Sequence, residues 1–302
     1  MDKKSVRFRV MDGLYIAMMA LPILVGIVIQ ILTKPVSEGI SITGARVFFT
    51  IPMPLMDMII SEAQVNTWLV MITIFGFCLF MTHGIGEDLR TKRQMAAEWI
   101  VEKVEGLVQT NMEQPVFAGY GPFVCGILAL SACSSLLTLF GLFPPTSDIN
   151  ITMGWAILVF ILITKNKLKA GVGYYVKGFF EPIFIMAPMN LIGEIATPVS
   201  MGFRHFGNVL SGTVIAALVS AALSGLTNMV LGWLPGFLGE VPFLQIGIPA
   251  VLSLYFDIFS GCMQAFIFAM LTMLNISGAY PGEAIAEQLA RRKNKKDPVP
   301  ST

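Results

Sequence analysis

Residues 183–227 read IFIMAPMNLIGEIATPVSMGFRHFGNVLSGTVIAALVSAALSGLT. As one continuous helix this apolar segment would run roughly 67 Å at 1.5 Å per residue. That is about twice the hydrocarbon thickness of a bilayer. The segment therefore crosses a membrane twice, or follows one strongly tilted path bent near Pro198. It also carries Arg204, the only cation between Lys177 and Arg291. An arginine at the bilayer centre costs roughly 2.5–3.5 kcal/mol or more, and such residues are usually paired, face an aqueous cavity or serve ion movement.

Composition supports a membrane setting. The chain of 302 residues is 55% hydrophobic and 13% charged, against about 25% charged in a soluble domain. A net charge of +1 gives no bulk basic character that would draw nucleic acid. Cys78, Cys125, Cys133 and Cys262 lie in apolar runs without metal-ligand spacing and read as small buried hydrophobes. His83 and His205 are too few and too distant for a zinc site, and no GxxxxGK[ST] phosphate loop occurs. Neither a metal, a cofactor nor a catalytic nucleotide site is expected. GYG at 119–121 lacks the threonine and valine of a potassium filter and reads as a loop leading into a helix.

Five further segments have the length and apolarity of spanning helices: 10–33, 63–83, 117–142, 150–164 and 245–278. The first follows the basic MDKKSVRFR. It exceeds 20 residues without an A-x-A site, so it reads as a retained helix rather than a cleaved signal. Positive charge then settles residues 183–227. With the N-terminus inside and one crossing there, 17 of the 20 cations lie inside, including Arg291, Arg292, Lys293, Lys295 and Lys296 of the tail. Lys34 and Arg46 lie outside, and Arg204 in the membrane. A double crossing would turn the basic tail outward, against the positive-inside bias. Six membrane elements with both termini cytoplasmic are expected, in one membrane domain over 1–302.

Within RQMAAEWIVEKVEGLVQTNM, Ala97, Ile100, Val101, Val104, Leu107 and Val108 form an apolar stripe opposite Glu98, Glu102 and Glu105. That predicts an amphipathic helix on the inner membrane surface. Asn190, Glu194, Thr197, Arg204, Asn208 and Ser211 recur at helical steps and predict a polar stripe. Small residues, including Gly212, Ala216, Ala221 and Gly225, allow another helix to approach closely. Ser253, Asp257, Gly261 and Gln264 predict a matching stripe on the last long helix. Two membrane carboxylates and an arginine with amides between them point to a proton or cation path. The alternative is an internal Arg204–Asp257 ion pair that only fastens two helices, although a buried pair stabilises weakly because desolvation opposes it.

PVSMGFRHFGN (198–208), with QAFIF (264–268) further on, closely resembles subunit a of the rotary F-type ATP synthases. PPTSDINIT, NTWLV and KRQ fit the same family, and the resemblance covers about 64–278. It implies an all-α polytopic membrane protein with an interfacial amphipathic helix. Two long tilted helices would form a hairpin against a c-ring. The family core would occupy 63–278, with 10–33 an extra transmembrane helix and 279–302 a cytoplasmic basic tail.

By that resemblance Arg204 is the stator arginine that separates two aqueous half-channels. Asn208, Gln264, Glu194 and Asn190 are further ion-path residues. Many bacterial members carry a glutamate where this chain has Thr213, and a histidine or glutamate where it has Asp257. The acidic function of the outer half-channel then falls to Asp257, with Asp148 at the outer mouth. The resemblance implies no catalysis on this chain. It implies as partners the c-ring, the b-subunit peripheral stalk, the remaining ATP synthase subunits and the lipid of a bacterial inner membrane. It leaves open whether H⁺ or Na⁺ is carried, the role of helix 10–33 and that of His205. A self-contained secondary transporter is the alternative.

Overall fold

The computed structural model describes residues 3–33, 44–54, 57–85, 91–112, 115–181, 183–231, 247–249, 251–252, 254–283 and 285–286. The loop carrying Lys34, residue Arg90, Ser253, most of 228–244 and the basic tail from 287 lie outside them. The described chain is helical almost throughout, in eight main helices. They are α1 (Lys3–Thr33), α2 (Glu62–Thr82), α3 (Lys92–Asn111), α4 (Gly121–Leu136), α5 (Ile149–Lys167), α6 (Val172–Phe179), α7 (Ala187–Leu231) and α8 (Gly261–Gly278). Six stretches are long and apolar enough to cross a membrane, at Phe8–Thr33, Glu62–Thr82, Val116–Phe140, Ile149–Ala170, Phe184–Thr227 and Gly247–Gly278.

Side chains start these helices where the sequence supplies an oxygen. Ser61 Oγ accepts from Gln64 N at 3.4 Å and Thr91 Oγ1 from Gln94 N at 3.2 Å. The Asp148 carboxylate accepts from Asn150 N at 2.9 Å. Each bond satisfies a first-turn N–H that the helix itself cannot. The span expected at 150–164 is longer than its apolar core, because its last turn holds Lys165 and Lys167. Cations there oppose the negative end of the helix dipole.

Residues 187–231 form one continuous helix of 45 residues. Pro198 lies within it and contributes no N–H, so the carbonyl of Glu194 loses its helical donor without ending the helix. Before α8, Leu254–Ser260 winds as a π-helix. A π-turn takes an extra residue and rotates everything after it. Of the expected stripe, Ser253 lies outside the described residues, and Asp257, Gly261 and Gln264 are not one face: Gly261 lies against Ser135 of α4, where an added methyl would stand 2.6 Å from the serine Cβ.

Ahead of α2 a short antiparallel hairpin pairs β1 (Val47–Ile51) with β2 (Met58–Ser61). The expectation for α3 is refined by its packing. Val104 and Val108 are buried in a core shared with α4, α5 and α8, while Val101 and Trp99 are exposed. The inward face is narrower than the predicted stripe, because α3 packs on other helices as well as facing outward.

Helix α1 packs chiefly on α2. A Cβ on Gly76 would lie 3.2 Å from the Met18 backbone, so glycine is what permits this approach. Nearby, Thr73 Oγ1 donates to Met19 O at 3.3 Å.

Candidate functional site

Helix α7 carries the site. Arg204 is exposed on it and has no ion-pair partner among the described residues. The internal Arg204–Asp257 pair is thus not formed. Asp257, in the π-segment, is half-buried and has an interaction of its own. One turn beyond Arg204, Asn208 is held from α8 and the π-segment. Its Nδ2 donates to Gln264 Oε1 at 3.3 Å, and Ser260 Oγ donates to its Oδ1 at 3.0 Å. Gln264 is buried. A satisfied amide network of this kind fixes the two helices in register. Gly212 lets the helices meet, since its Cβ would lie 3.1 Å from Phe256 Cβ.

His205 lies on a different, buried face from Arg204. It is fully buried, with Nε2 3.2 Å from Ser131 Oγ, and its ring packs on Trp155 and Phe268. It is a core residue, not part of the exposed face that bears the arginine.

Toward the start of α7, Glu194 is held by two groups that the sequence stripe did not contain. Lys167 Nζ lies 3.1 Å from Glu194 Oε1, and Tyr175 OH donates to the same oxygen at 3.0 Å. Burial, and then the hydrogen bond to Glu194, raise the Tyr175 hydroxyl above the usual phenol range. Asn190 Nδ2 donates to the carbonyls of Phe179 and Glu181, at 2.9 and 3.0 Å. These residues line a cavity of about 860 Å³ that also takes in Thr197, the end of α8 and Tyr280.

A second cavity of about 290 Å³ lies at the other end of the bundle. It is lined by Gln30 at the end of α1, Arg46, Glu62 at the start of α2, Gly141 and Pro144 after α4, and Thr213 of α7. Successive spans alternate in direction. The ends of α5 and α8 and the start of α7 therefore open on one side, and the ends of α1 and α4 with the start of α2 on the other. Thr197 and Thr213 put the two cavities about 10 Å and about 14 Å along α7 on either side of Arg204, at 1.5 Å per residue. Asp148 caps α5 at the same end of the bundle but does not line this cavity. Among the described residues no His, Cys, Asp or Glu group could hold a metal ion.

Glu62, Lys167, Tyr175 and Ser260 were not singled out by sequence reasoning. For Glu62 the signal was present: a carboxylate one residue past a serine cap, at the mouth of a span. For Ser260 there was none, because the π-segment resets the helical phase.

A multi-pass helical membrane protein whose arginine stands between two polar cavities on opposite sides belongs to the class that moves ions across a bilayer. The chain is a member of the ATP synthase A chain family, whose sequence model matches residues 64–277. It is 33% identical to ATP synthase subunit a of Desulforamulus reducens over 72% of this chain and 78% of that one. It is 29% identical to "ATP synthase subunit a, sodium ion specific" of Propionigenium modestum, over 83% of this chain and 89% of that one. It is 30% identical to ATP synthase subunit a of Priestia megaterium, over 69% and 89%.

Proposed function

We propose that this chain is the stator subunit a of a rotary F-type ATP synthase and supplies two aqueous half-channels to a c-ring. The placement of Arg204 between two cavities that open on opposite sides carries this reading. The inner cavity, with Glu194 and Asn190, is the cytoplasmic half-channel. The outer cavity, leading through Asn208 and Gln264 and aided by Asp257, is the other.

The ring docks on the face of α7 that bears Arg204. The most apolar stretch of α7 is far less buried than that of Val116–Phe140, so this long helix is sparsely covered by its own chain. Ile215 and Leu218, three and four turns beyond Arg204, are exposed on the same face, and an apolar surface of this kind marks an interaction site.

The arginine has two tasks. Its charge favours the ionised form of a passing ring carboxylate and so releases the carried ion. It also stays protonated, which bars direct leakage between the half-channels. The carried ion is H⁺ or Na⁺, and the sodium dependence of ATP hydrolysis by the assembled complex distinguishes them. The remaining subunits of the synthase, including the b-subunit stalk, complete the stator. Both termini face the cytoplasm of a bacterium, on the positive-inside bias. The secondary-transporter alternative has no support from the family match.

Arg204→Ala is expected to abolish ATP-driven ion pumping by the complex reconstituted in liposomes. Pumping at near the parental rate would overturn the assignment.

A further inference from the structure

The outer cavity contains a carboxylate that the family resemblance does not supply. Glu62 is 7% exposed, at the first position of α2, and lies outside the family-matched residues 64–277. Its Oε2 is 3.7 Å from Arg46 Nε, too far for a hydrogen bond. The Arg46 guanidinium instead donates from Nη1 to the carbonyl of Thr33, at 2.9 Å, at the end of α1. A backbone bond from Glu62 N to Arg46 O, at 2.7 Å, fixes the two residues to each other. Gln30 of α1 donates to the carbonyl of Gly141, which closes the cavity wall. Across the same cavity stands Thr213, the position at which the family resemblance implies an acid.

We propose that Glu62 is the ion-receiving carboxylate of the outer half-channel, set in a vestibule lined by Gln30 of α1 and by Gly44 and Arg46 ahead of the hairpin. The proposal rests on the reading of the chain as subunit a. A buried carboxylate facing a cavity large enough for several waters attracts a proton or a monovalent cation. Arg46 nearby offsets part of that attraction. The ion is then held loosely enough to move on toward Asn208 and Gln264, as conduction requires. The carboxylate missing at Thr213 is replaced from the opposite wall of the same cavity, and the extra N-terminal helix gains a purpose.

The test uses the assembled complex in proteoliposomes, with ATP synthesis measured against the ion concentration on the outer side. Glu62→Gln is expected to raise the outer concentration for half-maximal synthesis by about threefold or more, the effect of losing one carboxylate from a cation path. The inner-side dependence should not change, and Glu62→Asp should restore most of the loss. If complexes with Glu62→Gln do not assemble, Glu62→Cys replaces it, in a background with Cys78, Cys125, Cys133 and Cys262 changed to serine. An impermeant, negatively charged thiol reagent added outside should then react and recover synthesis. An unchanged outer-side dependence in Glu62→Gln, or a thiol in the Glu62→Cys variant that is inert to the outside reagent, overturns the proposal. If Arg204→Ala is inactive in the same assay, the subunit a reading survives that outcome. An active Arg204→Ala removes both.

Discussion

Arg204 costs its own chain stability and finds no counter-ion among the described residues. On the stator reading its partner belongs to a moving neighbour, and the residues around it are placed to serve that encounter. Asn208 is locked by Ser260 and Gln264, so the polar surface beside the arginine is fixed before any ring carboxylate arrives. Asp148 and Asp257, both expected to serve the outer half-channel, differ in what they do. Asp148 caps α5, and asparagine caps a helix about as well as aspartate. Asp148→Asn should therefore leave transport close to the parental rate. Asp257 sits in the apolar π-segment, where the charge of a carboxylate is costly unless the ion path uses it. Asp257→Asn should slow ATP-driven pumping by about tenfold or more. Equal, mild effects of the two would remove Asp257 from the path. Arg204, Asn208, Gln264 and Glu194 were legible because an isolated charge or amide in an apolar run stands out. Lys167 and Tyr175 were not, because Lys167 closes a helix where cations are ordinary and Tyr175 lies in a short helix between spans. Only the fold brings Lys167 and Tyr175 to Glu194.

At the scale of elements, the single crossing of 183–227 was decided by the charge of the flanking loops rather than by the segment itself. Helix α7 is continuous over 45 residues, as that balance requires. What the sequence did not reveal is the phase of its partner. A π-helix and an α-helix use the same apolar residues, and the choice between them comes from packing on α4 and α7. The hairpin was missed for a related reason: its strands are 5 and 4 residues long, too short to show alternation. Glycine spacing was informative only in part. Gly212 and Gly225 both fit the small-residue pattern, yet a Cβ would meet Phe256 at the first and nothing within 4 Å at the second. Gly212→Val should destabilise the contact between α7 and the π-segment leading into α8 by about 1–3 kcal/mol through overpacking. Gly225→Ala should be neutral or stabilise by up to about 1 kcal/mol through helix propensity. Thermal aggregation of the purified complex compares them, and equal midpoints would refute the close approach.

At the scale of the whole molecule, the proposed ion path depends on a helix that lies outside the family-matched residues 64–277. Helix α1 lines the second cavity through Gln30 and holds Arg46 there through the Thr33 carbonyl, but is anchored at the opposite end. There Asp12 receives two bonds from Arg93 of α3, at 2.9 and 3.2 Å, and one contact from His83 at 2.9 Å. Phe8 stacks on His83 at 4.4 Å, and the guanidinium lies over Phe80 at 4.6 Å. A bidentate pair with aromatic faces specifies orientation as well as attraction. A helix that spans the bilayer transmits a loss of anchorage along its length, so loosening the inner end should open the outer wall. Asp12→Ala and Arg93→Ala are each expected to weaken α1 docking by about 1–3 kcal/mol, and the double variant to add little to either. The fall in thermal midpoint of the complex measures the first effect. The outer-side ion dependence of ATP synthesis measures the second, and it should shift in the same direction as in Glu62→Gln. A lowered midpoint with an unchanged outer dependence would mean that α1 is fastened to the core without shaping the path.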